Sequence, residues 1–246
     1  MQIVRLCLII FAGGFLAPLA VHAVWWLSHN EAVAWYEADW SSAGLLPPAP
    51  AKPDAAVYVY AARTGRWKGI FAHHSWIVIK ERRGGSYTRF DMVGWGRPVK
   101  VNNWAADARW YGNTPTLVAA VEGPAAERLI PRIKSAVARY PYNQHGAYSV
   151  WPGPNSNSFV AYLLAAIPEA GIVLPPTAIG KDFLPGGALT AWTPGGRGVQ
   201  LSLLGLAGVL VGLDEGLEVN VLGLSFGVDL NAPALKLPGV GRVGAQ

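Results

Sequence analysis

The sequence predicts an α+β fold: an antiparallel sheet packed on a buried helix, preceded by a transmembrane helix and followed by a β appendage. Three patterns carry this expectation. Residues 6–28, LCLIIFAGGFLAPLAVHAVWWLS, bear no formal charge and are long enough to cross a hydrocarbon core as a helix. Residues 57–60 and 70–92 hold β-branched and aromatic runs with hairpin punctuation at Gly84-Gly85, which reads as strands. Apolar runs then recur at helical spacing around Leu129, Ile130, Ile133 and Val137, and again after Ser158.

Composition narrows the function classes. Hydrophobic residues make up 52% of the chain and charged ones only 14%, which points to membrane contact. The net charge of +5 comes without a Lys/Arg stripe, so a nucleic-acid partner is not expected. Cys7 is the single cysteine. An internal disulfide, a cysteine metal site and a cysteine nucleophile in the exported part are therefore excluded, and no metal or cofactor is expected.

The N-terminal segment, 1–28, reads as an uncleaved anchor or as a secretory signal cut after Ala23. Trp25 and Trp26 suit an interfacial belt. Arg5 lies on the short side, and Glu31, Glu37 and Asp39 lie on the other. The positive-inside rule then exports the bulk of the chain, which implies an inner-membrane protein facing the periplasm. Residues 29–54 form a neck with Trp35, Tyr36 and Trp40 suited to a membrane surface, then a semi-rigid Pro/Ala linker.

The core is expected over 55–188. His74, Trp76 and Val78 fall on one face of a strand, and His73, Ser75, Ile77 and Ile79 on the other. Asp91 sits on the return strand, placed either to orient a histidine or as an ordinary cross-strand polar residue. A long irregular loop with Trp95, Trp104 and Trp110 follows, either a binding loop or one packed by its own rings. The stretch 148–164, YSVWPGPNSNSFVAYLL, is the centre of the chain. Pro152 and Pro154 forbid helix before them, so Asn155, Ser156, Asn157 and Ser158 sit at a helix N-terminus. There they serve as caps, or they place a nucleophile in the positive field of the helix end. Lys181-Asp182 is a polar pair without an evident use. Residues 189–246 read as a Gly-rich β meander that covers the core sheet or rests on the membrane.

The order of a strand histidine followed by Asn155-Ser156-Asn157-Ser158-Phe159-Val160 resembles the circularly permuted NlpC/P60, lecithin:retinol acyltransferase-like branch of the papain-like superfamily, with its Asn-Cys-Glu-His-Phe-Val motif. The resemblance implies a papain-like core with Ser156 in place of the Cys nucleophile and His74 as general base; His73 and His145 stay as alternative bases. Asp91 would orient the imidazole, and helix-start amides would form an oxyanion site. Asn155, Asn157, Ser158, Trp76, Trp95, Trp110 and Trp151 would line the binding groove. The implied reaction is hydrolysis or acyl transfer on an envelope amide or ester; a silent fold that binds an envelope component through the Trp loop is the alternative. More broadly, HSWIVIK, GWG, WYGNTP, WPGPNSNSFVAYL and LPPTAIGKDF resemble a bacterial membrane-associated domain family of unknown function.

Overall fold

The computed structural model describes residues 2–31 and 33–245; the Cys7 side chain lies outside that description. An apolar helix runs from Gln2 to His29, built from α1 (Gln2–Phe11), a π-helical turn (Ala12–Leu16) and α2 (Ala17–His29). The π turn spans Gly13-Gly14 and precedes Pro18, whose missing N–H interrupts the regular helical ladder there. At 1.5 Å per residue the helix is about 42 Å long, more than enough to span a bilayer.

Two antiparallel sheets follow. The first has the order β4-β3-β2-β1-β5, from β1 (Ala56–Arg63), β2 (His73–Lys80), β3 (Thr88–Met92), β4 (Val99–Val101) and β5 (Thr116–Glu122). Its central strands are covered on both faces. Val57, Val59, Ile77, Ile79, Phe90 and Met92 pack under α3 (Pro124–Ala138) and α4 (Ser156–Ala165). Tyr58, Tyr60, Trp76 and Val78 pack under the tryptophan loop. β1 and β2 therefore read as continuous apolar runs rather than as alternating ones.

From residue 33 to 40 the neck is made of turns and irregular backbone. Asp107 accepts the Leu45 and Leu46 amides and the Ser42 hydroxyl, and Trp40 stands edge-on to Trp110 at 4.9 Å. These contacts fold the neck onto the tryptophan loop as part of the domain.

The second sheet is a seven-stranded meander, β6 to β12 in sequence order: β6 (Thr190–Trp192), β7 (Gly198–Leu203), β8 (Ala207–Gly212), β9 (Gly216–Val221), β10 (Leu224–Asp229), β11 (Ala234–Leu237) and β12 (Gly241–Gly244). Its amphipathy is inverted. Gln200, Ser202, Glu218, Asn220, Ser225 and Lys236 are buried, whereas Val199, Leu201, Val211, Leu217, Leu235 and Val243 are exposed.

Lys181-Asp182 acquires its role here. Lys181 Nζ lies 2.7 Å from Glu218 Oε2, Lys236 Nζ 2.5 Å from Glu218 Oε1, and Asn220 Nδ2 donates to Asp182 Oδ2 at 2.7 Å. The polar pair thus pins the second sheet to the segment that follows α4. Burial pushes the Glu218 carboxyl up, but Lys181 and Lys236 outweigh it and hold the group below the usual glutamate value. Its contribution to stability is therefore present above the unfolded-state pKa of about 4.3 and is lost as pH falls through the lower folded-state value. Glu218→Ala leaves the buried Lys236 ammonium without a carboxylate partner and Lys181 with Asp182 alone. It should cost about 3–5 kcal/mol, read as a lower urea midpoint at neutral pH; a loss under about 1 kcal/mol would show that the ion cluster does not hold the sheets together.

Candidate functional site

Asn155 organises the site. Its extended backbone precedes α4, and its side-chain oxygen accepts the amides of Asn157 at 3.0 Å and Ser158 at 3.1 Å. Its Nδ2 donates to the carbonyls of Val150 and Ile179, both at 3.1 Å. Ser158 completes the capping box: its hydroxyl accepts the Asn155 amide at 2.8 Å and donates to the Asn155 carbonyl at 2.9 Å. Ser158 is thus a structural cap and not a groove residue. Asn157 clamps α4 to the sheet, accepting from Ser75 Oγ at 2.7 Å and donating to the His73 and Ile179 carbonyls.

Hydrogen bonds engage the side chains of Asn155, Asn157 and Ser158 and spare that of Ser156. The Ser156 hydroxyl makes no hydrogen bond among the described residues, and its residue lines a cavity of about 460 Å³. The oxyanion arrangement differs from expectation. The amides of Asn157, Ser158 and Phe159 are all taken by Asn155, which leaves the Ser156 amide without an acceptor among the described residues.

His74 lines the same cavity. Its Nε2 lies 2.6 Å from Asp91 Oδ1, and Arg89 Nε donates to the other carboxylate oxygen. The imidazole stacks on Trp110 with centroids 3.6 Å apart and planes 2° from parallel. Burial is the largest influence on the ring and holds its pKa below the usual histidine value; Asp91 works against that shift without reversing it. Burial pushes Asp91 up, but Arg89 and His74 prevail and keep it ionised. The result is a neutral imidazole with Nε2–H on Asp91 and Nδ1 without a partner among the described residues. No hydrogen bond joins Nδ1 to Ser156.

Other expected site residues sort clearly. Trp95, Trp110, Trp151, Asn155 and Asn157 line the cavity. Trp76 does not: it is fully buried, its Nε1 donates to the Ala106 carbonyl at 2.8 Å, and the Arg89 guanidinium sits 3.9 Å over its ring. It packs the inner wall behind the His74–Asp91 pair. Of the alternative bases, His73 also reaches the cavity, but burial and the nearby Arg63 lower its pKa to about 3 and its Nδ1 is buried without a partner. His145 is exposed on a loop outside the cavity.

Sequence reasoning missed much of the apolar wall. Trp67 and Phe71 come from the 3-10 segment before β2, and Leu222 and Leu224 from the second sheet. Trp151 Nε1 donates to the Leu222 carbonyl at 2.9 Å, which brings the meander to the cavity. The only hint in the sequence was the aromatic pair Trp67 and Phe71 close before the histidines.

The division of labour predicts unequal stability effects at neighbouring positions. Asn155→Ala removes the cap and should destabilise by about 1–2 kcal/mol. Ser156→Ala should change stability by under about 0.5 kcal/mol. Thermal unfolding of the two variants checks this; a large loss from Ser156→Ala would mean that the hydroxyl is structural.

No curated protein and no solved structure matches the chain. A family model described as "Protein of unknown function (DUF3750)" matches residues 54–183, from β1 through the Asn155 box to the Lys181-Asp182 pair. With more than half of its length covered by that match, the chain belongs to this family of unknown function.

Proposed function

We propose that the protein is a membrane-anchored serine hydrolase or acyltransferase with a papain-like arrangement, acting on an acyl ester or amide of the bacterial envelope from the periplasmic side of the inner membrane. One observation carries the reading: Ser156, whose hydroxyl the capping box spares, lines the same cavity as a neutral His74 held by Asp91. The long apolar N-terminal helix supports membrane anchoring.

The chemistry follows from the free groups. His74 Nδ1 takes the Ser156 proton as Oγ attacks the acyl carbon. The Ser156 amide and the α4 N-terminus face the oxygen that gains negative charge. Collapse expels the alcohol or amine, which receives the proton from His74. The acyl group on Ser156 then passes to water in hydrolysis, or to a second hydroxyl or amine in transfer. Asp91 keeps the imidazole in the tautomer this requires. The cavity wall favours an acyl chain over a peptide: Trp67, Phe71, Val93, Val150, Leu222 and Leu224 present few groups able to satisfy a peptide backbone.

A silent binding fold is the second reading, favoured by the missing hydrogen bond between His74 and Ser156. Catalytic bonds often tighten only when substrate is bound, so turnover separates the two. With p-nitrophenyl esters of increasing chain length, kcat/KM should rise with chain length. Ser156→Ala should reduce it to background and His74→Gln by about 10²–10⁴-fold. Because the His74 pKa lies below 6.5, the rate should stay level from alkaline pH down to about 6.5 and fall only below it, as the base protonates. Turnover unaffected by Ser156→Ala would remove the serine mechanism.

A further inference from the structure

The outer face of the second sheet is apolar along whole cross-strand rows. The register aligns Trp192, Val199, Val211, Leu217, Val228, Leu235 and Val243, one residue from each of the seven strands. A second row runs Leu201, Val209, Val219, Phe226, and a third Leu203, Ala207, Val221, Leu224. At the usual strand spacing and rise the first row spans about 29 Å across seven strands, the other two about 14 Å across four, and the three together about 14 Å along the strands. Soluble monomers rarely leave an apolar patch of that size open to water. The opposite face carries the buried Glu218, Lys236, Asn220 and Ser202, so the chain spends its polar residues inside and its apolar ones outside.

We infer that this face is a lipid-contacting surface, seated on the bilayer that the N-terminal helix enters. Continuity with the helix selects lipid as the occupant. Phe226, in the second row, packs on Phe15 with ring centroids 5.6 Å apart. A Cβ on Gly14 would meet the same ring at 3.1 Å, and one on Gly239 would meet Leu19 at 2.9 Å. Farther along the helix, His22 Nδ1 bonds the Ile70 carbonyl and Trp26 Nε1 the Arg66 carbonyl. A helix fixed at these points cannot enter a membrane without bringing the adjoining apolar rows to it. Seating the face, rather than threading the strands, leaves the unpaired edges of β6 and β12 at headgroup level, where water satisfies them; open edges do not persist in hydrocarbon. Leu224 ends the third row and is also cavity wall, so the cavity opens beside the seated face. The inference does not depend on the chemistry of Ser156.

Site-directed spin labelling of the full chain tests it. With Cys7→Ser removing the sole cysteine, nitroxides are placed singly at Leu201, Val211 and Leu217, exposed positions of the first two rows. Val4 on the free part of the helix and Arg128 on α3 serve as lipid and water references. The protein is reconstituted in phosphatidylethanolamine/phosphatidylglycerol vesicles, and collision rates with oxygen and with a water-soluble nickel chelate are measured. The expected result is that the three sheet sites match Val4, with high oxygen and low nickel accessibility, while Arg128 shows the reverse. Sheet sites that match Arg128 place the face in water and overturn the inference. Sites shielded from both reagents place a second copy on the face and overturn it equally.

Discussion

The side chain of Asn155 is the constraint on which the rest of the site depends. A primary amide has two donor hydrogens and one acceptor oxygen with two lone pairs, and here all are used: two helix amides on Oδ1, two carbonyls on Nδ2. One buried residue thereby joins the Val150 turn, the start of α4 and the Ile179 segment. Neither Asp, which lacks the donors, nor Ser, which lacks the reach, replaces it. The neighbouring chain is shaped to fit. Gly180 has φ +94°, and a Cβ there would lie 2.2 Å from Asn155 Nδ2. Because Asn155 and Ser158 satisfy the helix end between them, Ser156 is left with an uncommitted hydroxyl at the N-terminus of α4.

The opposing wall is built by a different principle. Asp91 is buried between His74 and Arg89, and a buried carboxylate persists as an ion only when paired and hydrogen-bonded. Arg89 is held in turn by the Trp76 ring and the Ala105 carbonyl. Trp110 closes over the imidazole. The tryptophan loop is therefore both packed by its own rings and part of the cavity: its inner tryptophans fix the His74–Asp91–Arg89 chain, and Trp95 at its rim faces the opening.

Much of this was legible in the chain. The Pro-Gly-Pro turn ahead of an Asn/Ser box and an apolar run placed the helix start correctly, because proline and capping preferences act locally. Strand parity put His74 and Trp76 on one face and Ser75 on the other, as the 2.7 Å bond from Ser75 to Asn157 requires. The same parity could not say which face a loop would cover, so Trp76 looked like a groove residue when it is buried wall. Ser156 and Ser158 were equivalent by composition; only the hydrogen-bond geometry shows that Ser158 caps and Ser156 does not. The strands after residue 189 were legible as a β meander, but with apolar residues dense along the segment the sequence did not say which face is inside; the structure turns the apolar rows outward and the polar ones inward.

The central claim is that Ser156 is a nucleophile activated by His74. Treating the folded protein with a long-chain alkyl fluorophosphonate and locating the adduct by peptide mass spectrometry tests it most directly. The account predicts a single stoichiometric adduct on Ser156 that forms in the native protein and is lost in the His74→Gln variant. No adduct on the folded protein, or one that forms equally well without His74, would contradict it and leave the cavity as a binding site.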